Sequence, residues 1–99
     1  MMETSEDGDG AVTLAIQGEI DFGNVAALRA RLSELIRSGT GPLTIDLAEV
    51  DFVDSTTIGV LIQAKKRLAQ SERDLRIAQP KPGVRRVFEL AGLVDYLGL

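Results

Sequence analysis

An α/β fold is predicted, with a mixed, mostly parallel sheet, an N-terminal antiparallel hairpin and helices packed against it. Three observations predict it. Apolar residues alternate with period two in AVTLAIQG and LTIDLA, the mark of half-buried strands. Between and after them, VAALRARLSELI and the stretch from 55 to about 70 carry apolar residues at helical spacing. Strands separated by helices imply parallel pairing with right-handed crossovers.

The elements follow in order. Residues 1 to 6 form a weak edge strand that turns back through DGDG into the strand carrying Val12, Leu14 and Ile16. After GEID, with a cap at Gly23 or Asn24, the first helix aligns Val25, Leu28, Leu32 and Leu35. Ser38, Gly39, Gly41 and Pro42 stop it. The next strand, 43 to 48, alternates Leu43, Ile45 and Leu47. The second helix, about 55 to 70, gathers Thr57, Ile58, Leu61, Ala64 and Leu68 on one side. DLRIAQ, 74 to 79, is a short strand, and a third helix after Pro82 aligns Val84, Val87, Phe88 and Ala91 before Gly92. The tail LVDYLGL leaves room for a short final strand.

Length and composition narrow the function. The 99 residues suit one domain with one core, and 44% apolar with 26% charged residues is ordinary globular composition. Fifteen acidic against eleven basic side chains argue against direct nucleic-acid binding, which needs clustered positive charge. The run KKR, Lys65 to Arg67, reads as a solvated helix face. Without cysteine or histidine, disulfides, thiol or imidazole catalysis and zinc sites are excluded. No apolar run approaches the roughly 20 residues that span a bilayer, and METSEDGDG is acidic where a signal peptide is basic. A cytoplasmic protein without membrane insertion is expected.

The stretch FVDSTTIGVL concentrates polar groups at the start of the second helix. One helix cap needs one oxygen, yet Asp54, Ser55, Thr56 and Thr57 supply four polar side chains. Gly59 stands within the helix, where glycine costs about 1 kcal/mol relative to alanine. With Ile58 at the centre of the buried arc, Ser55, Gly59 and Lys66 fall together beyond its edge, with Gln63 next and Thr56 opposite. A glycine beside an exposed hydroxyl clears a platform for another protein. Asp21 either caps the first helix or contributes to this surface, and the two are compatible. Asp46 and Asp51 read as strand-end polar residues.

DLAEVDFVDSTTIGVLIQAKKRL resembles the signature of the STAS domain, and in particular of bacterial anti-sigma-factor antagonists. GEID, Gly18 to Asp21, is similar to the segment such proteins carry after an early strand, and the ending from Gly92 to Leu97 also fits. The resemblance runs through essentially the whole chain. It departs at Thr57, where the pattern usually has glycine, and a bulkier residue beside the serine is expected either to narrow partner access or to alter which kinase recognises it.

The resemblance implies a non-enzymatic anti-sigma-factor antagonist that takes no cofactor and no metal. It binds an anti-sigma factor that is also a serine kinase and so frees a sigma factor. Phosphorylation at Ser55 ends that binding, and a serine phosphatase restores it. Only the resemblance selects Ser55 over Thr56. The implied partner surface comprises Asp21, Phe22, Asn24, Asp54, Ser55, Thr56, Thr57, Gly59, Ile62, Gln63 and Lys66.

Two other readings remain. One keeps the fold as a scaffold subunit of a transporter or signalling complex without a phosphorylation cycle. The other is an enzyme with a carboxylate magnesium site from Asp21, Asp46 and Asp54, though there is neither a GxSxG elbow nor a phosphate loop.

Overall fold

The computed structural model describes residues 2–99. Four strands and three helices follow the order β1 (Met2–Glu6), β2 (Val12–Ile20), α1 (Val25–Ser38), β3 (Leu43–Val53), α2 (Ser55–Ala69), β4 (Leu75–Ala78) and α3 (Pro82–Leu90). They form one sheet, ordered β1-β2-β3-β4, in which β1 is antiparallel to β2 and the other pairs are parallel. The predicted α/β class, hairpin and parallel crossovers are all present; the first residue of the expected edge strand, Met1, lies outside the described residues.

Period-two alternation buries Val12, Leu14 and Ile16 in β2 and Leu43, Ile45 and Leu47 in β3. The same core takes in Leu28 and Leu32 of α1, Leu61 and Leu68 of α2, and Phe88 of α3. Helix α1 packs on α2, while α3 lies against β3. The C-terminal end of α1 is tied to the approach to β4 by Arg73, whose guanidinium donates to the carbonyls of Ile36 at 2.9 Å and Gly41 at 2.8 Å.

Strand β3 runs on to Val53, five residues past the expected end at 48, because its pairing with β2 slips twice. Between Ala15/Asp46 and Gln17/Glu49, and again between Gly18/Val50 and Glu19/Phe52, β3 spends one extra residue. Two such bulges keep Val50 and Val53 on the core side while breaking the period-two pattern. Gly18, the glycine of GEID, sits at this irregularity with φ of 92°, a left-handed conformation that favours glycine. Asp46 therefore lies within β3, while Asp51 stands two residues from its end: Asp46 accepts the Ala48 N–H at 2.9 Å, and Asp51 pairs with Lys81.

Two further expectations are corrected at the C-terminus. Ala91 is exposed after α3 and does not extend its buried stripe. Residues 93 to 99 form turns instead of a strand, held by Leu97 N–H to Leu93 O and Leu99 N–H to Val94 O. Leu97 still closes the core, and its carbonyl accepts the edge N–H of Ile77 at 2.9 Å.

Candidate functional site

The bulged ends of β2 and β3 deliver two chain segments to one corner of the molecule: the turn from Asp21 to Asn24, and Asp54 at the start of α2. Asp54 is the N-cap of α2. Its Oδ1 accepts the N–H groups of Thr56 at 3.0 Å and Thr57 at 3.2 Å, and also the Thr56 hydroxyl. Its Oδ2 accepts the Phe22 N–H at 2.9 Å. One carboxylate thus caps the helix and binds the β2–α1 turn. Led by the Thr56 hydroxyl and joined by the three N–H donors, these bonds hold its carboxyl below the ordinary carboxylate range, against an opposing effect of desolvation.

The turn is braced from within. Asp21 Oδ1 accepts the Gly23 N–H at 2.8 Å, and the Asp21 N–H donates to Asn24 Oδ1 at 2.9 Å. The Asn24 amide donates back to Glu19 O at 2.8 Å. Asn24 occupies the N-cap position of α1, but its side chain bonds none of the first-turn N–H groups and serves the turn and the strand end instead. Asp21 likewise serves the turn through its side chain, while its carbonyl accepts the Val25 N–H that opens α1.

Thr57 is fully buried, and its hydroxyl donates to Ile20 O at 3.2 Å, with Asp54 Oδ1 at 3.3 Å as a second acceptor. Thr57 is therefore turned away from solvent, against the expectation that it forms part of the partner surface. The buried arc of α2, formed by Thr57, Val60, Leu61, Ala64 and Leu68, is centred on Thr57; Ile58 is half-buried at its flank. That turns the helix by about one residue, roughly 100°, from the expected orientation. Thr56 consequently lies at the side of the helix, half-buried and bonded to Asp54, instead of opposite the stripe.

The same rotation turns Ser55, Gly59 and Lys66 outward, all three exposed, with the half-buried Ile62 among them. Lys66 stands eleven residues beyond Ser55, about 16 Å along the helix at 1.5 Å per residue. Gln63 is exposed on another flank, where it lines a shallow groove between α1 and α2 with Arg29, Ser33 and Arg67. A Cβ on Gly59 meets no atom within 4 Å. Among the described residues the Ser55 side chain has no hydrogen-bond partner, which sets it apart from Asp54, Thr56 and Thr57.

Two features escaped sequence reading: the exposure of Phe52 and the bond from Phe22 to Asp54. Phe22, already part of the implied surface, is 81% exposed and Phe52 is 49% exposed, so this corner carries two aromatic rings in solvent. Phe52 gave no signal because the bulges hide its outward direction. The Asp54–Phe22 bond spans 32 residues and has no local signature. Lys65, in the run read as a solvated helix face, is partly buried and donates to Asp74 Oδ1 at 2.8 Å and Leu75 O at 3.1 Å. Among the described residues no three carboxylates gather as a metal-ligand set, and no helix is long and apolar enough to cross a membrane.

Comparison with known proteins agrees with this geometry. The family model for the STAS domain matches residues 4–99. BtrV of Bordetella bronchiseptica, named as an anti-sigma factor antagonist, is 30% identical over 95 residues, covering 96% of this chain and 82% of that protein. The anti-sigma-B factor antagonist of Staphylococcus aureus is 30% identical over 82 residues, covering 83% of this chain and 76% of that protein. The structure of the anti-sigma factor antagonist SpoIIAA in its unphosphorylated form superposes with a TM-score of 0.82 at 26% identity, over 96% of this chain and 84% of that one. Fold, site motif and relatives agree: the chain belongs to the STAS-domain family.

Proposed function

We propose that this protein is an anti-sigma-factor antagonist of the cytoplasm, which docks on an anti-sigma factor serine kinase and is released when Ser55 is phosphorylated. A serine phosphatase resets it. It acts by binding and takes no part in catalysis, nucleic-acid contact or membrane insertion. The observation that carries this reading is the division of labour at the start of α2. Asp54, Thr56 and Thr57 are consumed by the cap and the turn, leaving Ser55 as an exposed hydroxyl without a hydrogen-bond partner among the described residues.

The chemistry of release follows from that arrangement. A phosphate adds about −1.5 to −2 charges and three acceptor oxygens. Here the N–H groups of Thr56 and Thr57, which would otherwise attract an anion, are already bonded to Asp54 Oδ1. The helix end therefore offers the phosphate less compensation than a free N-terminus would. The added charge stands beside the Asp54 carboxylate and faces the partner. Docking is opposed while the buried arc of α2 is undisturbed.

Intact mass of the protein recovered from its native cells, with fragmentation across residues 50 to 63 and a Ser55→Ala control, tests this reading. A single phosphate on Ser55 that is absent from the control supports it. Protein that stays unmodified through growth, starvation and stress sinks the phosphorylation cycle and favours a scaffold in a transporter or signalling complex.

A further inference from the structure

The tip of the β2–α1 turn carries Phe22, 81% exposed, more than Leu90, Phe52 or Tyr96. Nothing within the turn requires an aromatic residue there. The turn is held by Asp21 Oδ1 to Gly23 N–H, by Asp21 N–H to Asn24 Oδ1, and by the Phe22 N–H itself to Asp54. Those bonds fix the backbone on both sides of an exposed ring. A side chain with only two χ angles on a fixed backbone loses little freedom when it docks. The ring is displayed and also preorganised.

Its surroundings are acidic. Asp21 and Asp54 flank it, with Glu19 at the end of β2 and Asp51 near the end of β3. Of these, Asp51 is paired with Lys81. Phe52, register partner of Glu19 and half exposed, adds a second apolar group at the same end of the sheet.

The geometry points to Phe22 as the apolar anchor of the docking surface, inserted into an apolar recess of the anti-sigma factor whose rim is basic. This rests on the functional reading above. Ser55 supplies the switch, Phe22 supplies affinity and selectivity, and Asp54, bonded to one and adjacent to the other, sets their relative position. Charge complementarity chooses the partner chemistry: carboxylates around the ring repel an acidic rim and attract Lys or Arg.

The test titrates the purified anti-sigma factor kinase of the source organism, by calorimetry at low and high salt, with the native protein, Phe22→Ala, Phe22→Leu and Ser55→Glu. Phe22→Ala is expected to weaken binding by about 10- to 100-fold, as loss of an anchor does. Phe22→Leu retains most of the affinity, and native binding weakens as salt rises. Because the ring is exposed, the unfolding midpoint of Phe22→Ala matches that of the native protein. If Phe22→Ala binds as tightly as the native protein while Ser55→Glu does not bind, the functional reading stands and the anchor is wrong. Salt-independent affinity overturns the basic rim. If the native protein does not bind the kinase, the functional reading itself fails and takes the anchor with it.

Discussion

Asp54 Oδ2 accepts the backbone N–H of Phe22 at 2.9 Å across 32 residues of sequence, while Oδ1 of the same carboxylate caps α2. The two oxygens have separable duties. Asparagine caps a helix about as well as aspartate, but has one acceptor oxygen where the carboxylate has two. Asp54→Asn should keep α2 capped and leave Phe22 N–H without its acceptor. Amide exchange at Phe22 and Gly23 should accelerate about tenfold or more, with little change in the unfolding midpoint. Asp54→Ala loses both duties and should lower the midpoint as well. Unchanged protection of Phe22 in Asp54→Asn would show that the turn holds itself.

Acid should weaken the molecule through the same group. The Thr56 hydroxyl and the N–H donors lower the pKa of Asp54 below the ordinary 3.8, and a hydrogen bond from Lys65 does the same for Asp74. A carboxyl lowered in the folded state contributes stability that is complete above its unfolded value and is lost as pH falls through its folded value. Denaturation midpoints should therefore be flat from pH 7 to about 5 and decline below about 4. The decline should be shallower in Asp54→Asn. Lys81 runs the other way: hydrogen bonded to Asp51, its pKa is raised above 10.5, so its contribution is present below that value and fades at higher pH. As an exposed pair it should be screened by salt.

What sequence reading could and could not resolve of the fold and the candidate site is visible in particular residues. The strands carrying Leu14 and Ile45 alternate cleanly, and one slip of register would expose every core residue, so their direction was legible. The second half of β3 was not, because two bulges replace alternation with burial at Leu47, Val50 and Val53. In α2 the hydroxyl of Thr57 disguised the centre of the buried face as its margin. Its burial depends on the Ile20 carbonyl, a partner 37 residues away that no periodicity announces. The adjacency of Ser55 and Gly59 was legible because it depends only on helical spacing; the direction they face was not, and the bonds that make Ser55 different from its neighbours are partly tertiary.

Thr57, the departure from the family pattern, should act on stability and not on modification. Thr57→Val keeps the shape and leaves Ile20 O without this donor, at a cost of about 1 to 3 kcal/mol. Thr57→Gly, which restores the usual residue, loses the same bond and adds backbone freedom, so about 2 to 3 kcal/mol is expected. Chemical denaturation measures both. The rate at which the kinase modifies Ser55 should be the same in Thr57→Gly as in the native protein under folding conditions. A clearly faster rate would restore the idea that Thr57 narrows access to the serine.

Gly59 makes the sharpest prediction because stability and binding should move in opposite directions. It has no left-handed φ to require glycine, and an added Cβ meets no atom within 4 Å. Gly59→Ala should therefore raise stability by about 0.5 to 1 kcal/mol through helix propensity and a less flexible unfolded chain. If the residue is kept for close approach of a partner backbone beside Ser55, the same methyl should weaken docking on the anti-sigma factor, and Gly59→Leu should abolish it with the helix intact. Unfolding midpoints and titration of one set of proteins decide the matter. A Gly59→Ala protein that is both more stable and equally well bound would remove Gly59 from the docking surface and leave Ser55 and the β2–α1 turn to carry it.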